Sequence, residues 1–170
     1  VQVGGGALAS ACVRGLEQLV ALGVLSRMPA IHTVQTAGAH PLKRSWERCR
    51  AGAERVGVDA AMRHAAAHRG DFMWPWESTP HSVAHGILDD ETYDWHRVVG
   101  GMLATGGEAV VASEQTLLEA QRLAREVGGI GASATGAAGL AGLLELRRAG
   151  TIPSGDRVAV LLTGKDRELA

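Results

Sequence analysis

The sequence predicts an α/β fold, because segments with helical and strand-like hydrophobic periodicity alternate along the chain. Two observations carry this prediction. A glycine triplet at residues 4–6 separates a short extended start from a helical repeat. A nearly unbroken apolar run over residues 158–162 has the pattern of a central strand that is covered on both faces. Strands that alternate with helices are typical of mainly parallel sheets.

The first helix is predicted directly after the glycine triplet. Apolar residues repeat there at helical spacing, and we expect them to pack on a sheet: Leu8, Cys12, Leu16, Leu19 and Val20. Gly23 is suited to end this helix in a left-handed conformation. Residues 31–36 alternate weakly and predict a short strand, and Pro41 suits the first turn of the following helix.

An aromatic loop interrupts the middle of the chain. Residues 51–69 are alanine-rich and predict a helix that is broken near Gly57 and Asp59. Residues 70–79 have neither helical nor strand periodicity and carry Trp74 and Trp76. We expect these rings to cover a protein surface or a dimer contact, with stacking on a substrate as the alternative.

Two helices and a strand are predicted in the last third of the chain. Thr116 with Glu119 forms a capping-box pattern, which indicates a helix start. A second helix is expected over residues 136–149, with Gly150 ending it, and the final strand over residues 157–162.

The composition is that of one ordinary globular domain. The chain has 170 residues, of which 46% are hydrophobic and 21% charged, with a net charge of −1. This balance excludes a disordered chain, and without a basic stripe it predicts no nucleic-acid partner. No apolar run reaches the roughly 18 residues of a membrane span. Cys12 and Cys49 are isolated, which favours a reducing, cytoplasmic setting.

Two segments have the residue types of a small-molecule site. Gly4, Gly5, Gly6 and Ala7 lie between a strand and a helix, where backbone N–H groups and the helix dipole favour a phosphate. A tight structural turn is the alternative. Thr163 follows the predicted last strand, where its hydroxyl can bond a ring nitrogen without adding charge, or merely end the strand.

A metal site is not expected. Two histidine pairs have i,i+4 spacing, His64 with His68 and His81 with His85. A zinc site needs three or four protein ligands, and no third ligand accompanies either pair. We interpret them as exposed histidines on helix faces.

The order of these motifs resembles the C-terminal part of the fold-type II pyridoxal-phosphate enzymes, and most closely the threonine synthases. The glycine loop is similar to the family's GGGGL loop, and residues 34–42 and 82–87 are similar to segments that follow it. Residues 130–143 and 162–164 resemble the family's later glycine-rich segment and its closing LTG. The resemblance covers nearly the whole chain.

The resemblance implies a fold, a cofactor and a reaction class. The fold would be a three-layer sandwich with a mainly parallel sheet, and residues 1–170 would be the C-terminal part of its large cofactor domain. Gly4, Gly5, Gly6 and Ala7 would bind the phosphate of pyridoxal 5′-phosphate, and Thr163 its pyridine nitrogen. The enzyme would perform elimination or replacement on an amino-acid substrate, converting O-phosphohomoserine and water to threonine and phosphate, and would form a homodimer.

Several departures from the family pattern leave alternatives open. Ala7 replaces a fourth glycine, Ser133 stands where the family often has an acid, and residues 89–91 are an acidic run. The family's Schiff-base lysine lies upstream of the glycine loop, and neither Lys43 nor Lys165 matches it. We therefore expect that the lysine-bearing part and the small domain lie outside these residues. The alternatives are an amino-acid dehydratase or ammonia-lyase, and a non-catalytic half that needs a second chain.

Overall fold

The computed structural model describes residues 1–167 and contains both strands and helices, as predicted. The strands are β1 (Thr33–Thr36) and β2 (Ala109–Ala112). The helices are α1 (Ala7–Ala21), α2 (Pro41–Val56), α3 (Val58–Ala67), α4 (Arg69–Phe72), α5 (Trp95–Thr105), α6 (Glu114–Glu126) and α7 (Ala134–Arg148). A short 3-10 helix covers His85–Ile87.

The described sheet is small and parallel. β1 pairs with β2 from Thr33 opposite Ala109 to Thr36 opposite Ala112. On the other side of β1, Gln2 forms a parallel bridge with Val34, and the Val3 N–H donates to the Val34 carbonyl at 2.9 Å. The chain start therefore runs parallel to β1 and delivers the glycine loop to the carboxyl edge of the sheet, where open α/β folds bind ligands.

Two hydrophobic clusters pack on this sheet. One contains residues of α1, α2, α3 and α5 together with Ile31 and Ala109. The other contains residues of α6 and α7 together with Val34 and Ala112. These contacts confirm the α/β class, while the three-layer sandwich stays a prediction.

The predicted core face of α1 is wrong in part, although Leu16 packs against the first cluster. Leu8 is 42% exposed and Leu19 is also exposed, whereas Ala9 and Val13 are fully buried. An ideal Cβ on Gly101 of α5 would lie 2.7 Å from the Val13 side chain. The helix therefore packs closely on α5 at Val13, while the leucines at its two ends stay exposed.

Helix ends follow the glycine predictions better than the capping-box prediction. Gly23, Gly57 and Gly150 have φ angles of 72°, 82° and 72°, and each follows a helix end. The capping box is wrong, because Ser113 caps α6 and accepts a hydrogen bond from the Thr116 N–H at 3.1 Å.

The predicted strand over residues 157–162 is also wrong. The segment has no strand pairing in the described residues, and Val158 is 42% exposed. An apolar run forms a covered strand only where a neighbouring strand supplies hydrogen bonds, and no backbone pairing to residues 157–162 occurs within residues 1–167. The loop predicted at residues 70–79 is in part helical, since α4 extends to Phe72.

Candidate functional site

The glycine loop has a backbone shape that only glycine adopts readily. Gly6 precedes α1 with a φ of 95°, in the left-handed region. An ideal Cβ on Gly6 would also lie 2.8 Å from the Thr92 Cγ2. Ala7 begins the helix, and no described non-glycine residue has a positive φ. Alanine is therefore compatible with its position.

Contacts from one segment fix the loop with its N–H groups free. The Thr92 hydroxyl donates to the Gly4 carbonyl at 3.0 Å, and the Asp94 N–H donates to the Gly5 carbonyl at 3.1 Å. Within residues 1–167, no hydrogen bond uses the N–H groups of Gly4, Gly5, Gly6 or Ala7. Unpaired N–H groups at the start of a 15-residue helix form an anion site, since they and the helix dipole both favour negative charge.

The predicted site residues share one cavity. Its volume is about 270 Å³, close to the lower end of the range of small-molecule sites, roughly 300 to 1,000 Å³. The lining includes Gly4, Gly5, Gly6, Ala7 and Thr163, the five residues proposed from the sequence. It also includes Gln2, Val3, Leu8, Asp89 and Thr135, which are not among those five residues. The structure brings the two motifs together, and their roles remain a proposal.

Thr163 is held at the cavity by its backbone and its side chain. Its N–H donates to the Gly136 carbonyl at 3.3 Å, and its hydroxyl oxygen accepts a hydrogen bond from the Gln2 amide. The Gln2 side-chain oxygen is buried and has no partner in the described part of the chain. A buried polar atom without a partner lowers the free energy of unfolding by about 1 to 3 kcal/mol, so the Gln2 oxygen destabilises the fold.

A second glycine segment forms another wall of the cavity. Gly86 and Ile87 line it. The Gly86 N–H donates to the Thr135 hydroxyl at 3.1 Å. Ser133 caps α7 by accepting from the Gly136 N–H at 3.1 Å. The small residues that begin α7 thus serve as a helix cap and as a support for this wall.

Asp89 brings negative charge to the loop. An ideal Cβ on Gly4 would lie 2.1 Å from the Asp89 Oδ2, so the carboxylate packs against the glycine backbone. The structure shows no ion pair or hydrogen bond of the Asp89 side chain among residues 1–167. A carboxylate here opposes an anion in the cavity. The acidic run at residues 89–91 was the only sequence signal for this group.

Gln35 connects the loop to the start of α2. Its side-chain oxygen accepts from the Leu42 N–H at 2.9 Å and the Lys43 N–H at 3.2 Å. Its amide nitrogen donates to the Thr92 hydroxyl at 3.5 Å. Because the residue before α2 provides no side-chain cap, Gln35 satisfies these helix N–H groups from inside the core. No sequence pattern indicated this role.

Neither lysine reaches the cavity lining. Lys43 pairs with Glu47 at 3.4 Å on α2, and its ammonium lies 4.9 Å from the centre of the Trp46 ring. Lys165 forms an antiparallel bridge with Ala132. The described residues therefore offer no lysine amine beside the glycine loop.

The aromatic loop packs on its own chain. The Arg44 guanidinium lies 4.1 Å from the Trp74 ring centre and 4.5 Å from that of Trp76. It also pairs with Glu77 at 2.7 Å. The Trp74 N–H and Arg44 together hold the pKa of Glu77 below its usual value, and the Trp74 hydrogen bond has the larger effect. These contacts fasten the loop to α2, away from the cavity.

The histidine pairs differ in geometry. His64 and His68 lie at the end of α3 with ring centres 4.2 Å apart. His81 lies outside any helix and His85 begins the short 3-10 helix, so the helix-face interpretation is wrong for that pair. Residues 1–167 contain no cluster of three or more metal-binding side chains.

A larger cavity between α2 and α3 has fewer features of a binding or catalytic site. It has a volume of about 430 Å³ and is lined by Cys49, His64 and Phe72, among others. Burial raises the pKa of the Cys49 thiol to about 11, which keeps it protonated and weakly nucleophilic at neutral pH. The glycine-loop cavity is therefore the candidate site.

No helix in residues 1–167 is both long and apolar enough to cross a membrane.

Known proteins are similar to this chain over nearly its whole length. The chain is 22% identical over 164 residues to threonine synthase of Methanocaldococcus jannaschii, covering 96% of this chain and 35% of that protein. Its fold is similar to that of T.th. threonine deaminase, with a TM-score of 0.67, 23% identity, and coverage of 98% of this chain and 48% of that one. Maize serine racemase matches with a TM-score of 0.58, 17% identity, and coverage of 97% and 42%.

The chain thus spans about a third of the curated relative and less than half of each solved structure. The structural matches show the fold and confirm the α/β prediction. The family model described as "Pyridoxal-phosphate dependent enzyme" matches residues 1–164, nearly the whole chain. On the strength of that match, this chain belongs to the family of pyridoxal-phosphate dependent enzymes.

Proposed function

We propose that this chain supplies the phosphate-binding and ring-binding side of an enzyme that performs elimination or replacement on an amino acid. The observation that carries the proposal is the glycine loop, where four N–H groups are free at a helix start and Thr163 lies across the same cavity. The cofactor of the family is pyridoxal phosphate. Bound there, it supplies an electron sink for bonds next to the amino-acid carbon.

The residues of the cavity fit this cofactor. Side chains at residues 4–6 would collide with Asp89, Tyr93 and Thr92, so only glycine leaves this backbone open to a phosphate. The loop would hold the phosphate without a lysine, since the helix start supplies the compensating charge. Thr163 would hydrogen-bond the ring nitrogen, and Gly86 and Ile87 would enclose the ring. The neutral hydroxyl of Thr163 would bring no charge that favours protonation of the nitrogen.

The preferred reaction is that of threonine synthase, in which O-phosphohomoserine and water give threonine and phosphate. The similarity to the Methanocaldococcus jannaschii enzyme over 164 residues supports it. The residues of this chain would orient the cofactor, while the lysine that moves the proton would come from a part of the protein beyond these residues. A homodimer is part of this proposal.

A dehydratase or ammonia-lyase is the second candidate. The structural similarity to threonine deaminase favours it, as does Ser133 in place of an acid near the cavity. A third candidate is a non-catalytic half that needs a second chain, which the absence of a lysine from the described cavity lining favours.

Two assays separate these candidates. The denatured mass of the purified sample comes first: a mass above 17.7 kDa, or a second chain, indicates that a lysine-bearing part is present. The full-length protein is then incubated with O-phosphohomoserine or with threonine. Threonine plus phosphate supports the synthase, and keto acid plus ammonia supports the lyase. Neither product, from a sample that binds pyridoxal phosphate, supports the non-catalytic half.

A further inference from the structure

Gln2 occupies an unusual position for a polar side chain. It is 6% exposed, and it lies in the segment that runs beside β1 and leads into the glycine loop. Its amide nitrogen donates to the Thr163 hydroxyl oxygen, across 161 residues of sequence. Its side-chain oxygen has no partner among residues 1–167 and faces Gly139. The hydrogen bond to Thr163 is therefore the one polar contact that the Gln2 amide makes in the described residues.

This contact determines which way the Thr163 hydroxyl points. A threonine hydroxyl has one hydrogen to donate and two lone pairs to accept with. An amide NH₂ group only donates, so Gln2 occupies a lone pair and leaves the hydroxyl hydrogen to another acceptor. The described residues provide no such acceptor for Thr163, and this residue lines the cavity. The hydrogen is available to a ligand there.

We propose that Gln2 is a positioning residue that fixes Thr163 as a donor toward the ring nitrogen of the cofactor and thereby keeps that nitrogen unprotonated. The inference rests on the proposed function. A nitrogen that accepts a hydrogen bond must have a free lone pair, so a fixed donor favours the neutral ring. An uncharged ring is a weaker electron sink, which suits elimination reactions.

The reversed amide gives the opposite prediction. If the Gln2 side-chain oxygen faced Thr163, the hydroxyl would donate to Gln2 and would accept from a protonated ring nitrogen. The protonation state of the bound ring therefore distinguishes the two arrangements, and it does so without any catalytic turnover.

The experiment uses 4′-deoxypyridoxine 5′-phosphate labelled with ¹⁵N in the ring. This probe has no aldehyde, so it binds without a lysine. It is added to the cofactor-free full-length protein, and the ¹⁵N chemical shift is followed against pH. We expect an unprotonated nitrogen at pH 7 in the unmodified protein. Gln2→Glu turns the neighbour into an acceptor and should raise the titration midpoint of the ring by at least about one pH unit.

Two further variants show that the effect passes through Thr163. In the double variant Gln2→Glu with Thr163→Val, most of the rise should disappear, whereas a purely electrostatic effect of the new carboxylate would persist. Gln2→Met should lower the affinity for the probe by about 3- to 10-fold, the range of one lost hydrogen bond. The affinity of this variant for inorganic phosphate should stay unchanged, which also shows that the glycine loop is still folded.

The outcomes separate this inference from the proposed function. If the unmodified protein binds neither the probe nor inorganic phosphate, both fail. If it binds both and Thr163→Val weakens the probe, while the Gln2 variants change neither affinity nor midpoint, only the role of Gln2 is overturned. A ring that is protonated at pH 7 in the unmodified protein also overturns it, in favour of the reversed amide.

Discussion

The hydroxyl of Thr92 donates a 3.0 Å hydrogen bond to the carbonyl oxygen of Gly4, 88 residues earlier in the sequence. This bond occupies one loop carbonyl, while the N–H groups of the loop have no partner in the described residues. Gln35 contacts the same hydroxyl and also caps α2, so the glycine loop, the sheet edge and a helix start share one polar network. Such a network fixes a loop that has few side chains of its own.

Replacing Thr92 tests this network. Thr92→Val keeps the side-chain shape and removes the hydroxyl, which leaves the half-buried Gly4 carbonyl and the Gln35 amide without their partner. We expect a loss of about 1 to 2 kcal/mol in unfolding free energy and weaker phosphate binding. Urea unfolding and phosphate titration measure the two effects. Thr79→Val, at an exposed loop position, is the matched control, and equal losses in both variants would contradict the role of Thr92.

The left-handed conformation of Gly6 predicts a strong dependence on residue type. Gly6→Ala places a Cβ at a φ of 95° and against Thr92, so we expect a cost of about 1 to 3 kcal/mol and loss of phosphate binding. Ala7→Gly, one residue on, restores the family's glycine at a helical position. It should cost under about 1 kcal/mol and leave phosphate affinity unchanged. A tolerated Gly6→Ala would disprove the loop geometry.

Removing the carboxylate of Asp89 should increase the affinity of the glycine loop for phosphate. Asp89→Asn removes a negative charge that packs against Gly4, and the affinity for inorganic phosphate should rise by about 3- to 10-fold at low salt. The gain should shrink as salt screens the charge. Asp90→Asn, on the exposed neighbour, is the control with the same change in net charge. A similar gain in both variants would show a general charge effect.

His32 makes stability depend on pH. Its Nδ1 accepts from the Glu108 N–H at 3.1 Å, next to the β1–β2 pairing, which requires an unprotonated nitrogen. Burial lowers the pKa of His32, and Glu108 opposes that shift only in part. The unfolded chain therefore binds more protons below about pH 6.5, and stability falls as the pH drops through the lowered pKa.

The expected signature is a Tm that decreases on acidification from pH 7 to pH 5. His32→Asn keeps an acceptor but cannot titrate, so its Tm should decrease less, by about 1 to 3 °C over this range. The slope should not vanish, because burial lowers the pKa of His40 in the same direction. Calorimetry at several pH values measures both proteins. Parallel curves would mean that His32 does not contribute.

Local patterns predicted the glycine loop, the helix ends at Gly23 and Gly57, and the start of α2 at Pro41. These features depend on a few adjacent residues and their φ preferences, which a sequence displays directly. The core face of α1 could not be predicted in this way, since it depends on which residues of α5 lie against it. Gly101 allows a close approach that suits Ala9 and Val13, and no periodicity within α1 contains that information.

The missed site residues share one physical cause. Asp89 and Thr92 reach the glycine loop from far along the chain, and Gln2 matters through Thr163 at the other end. Tertiary contacts of this kind leave no spacing signal. The prediction of the α6 cap failed for a related reason. Ser113 and Thr116 are both residue types that cap helices, and tertiary contacts decide between them. The Thr116 hydroxyl is instead 2.5 Å from Glu145 of α7, to which it donates.

The proposed function requires that the glycine loop holds the cofactor phosphate while Thr163 holds the ring. An NMR titration of the ¹⁵N-labelled protein with 4′-deoxypyridoxine 5′-phosphate, in parallel with inorganic phosphate, observes both contacts at once. We expect both ligands to shift the backbone amides of Gly4, Gly5 and Gly6, and only the ring-bearing ligand to shift Thr163. Unchanged loop amides at saturation, or shifts confined to another surface, would refute this arrangement.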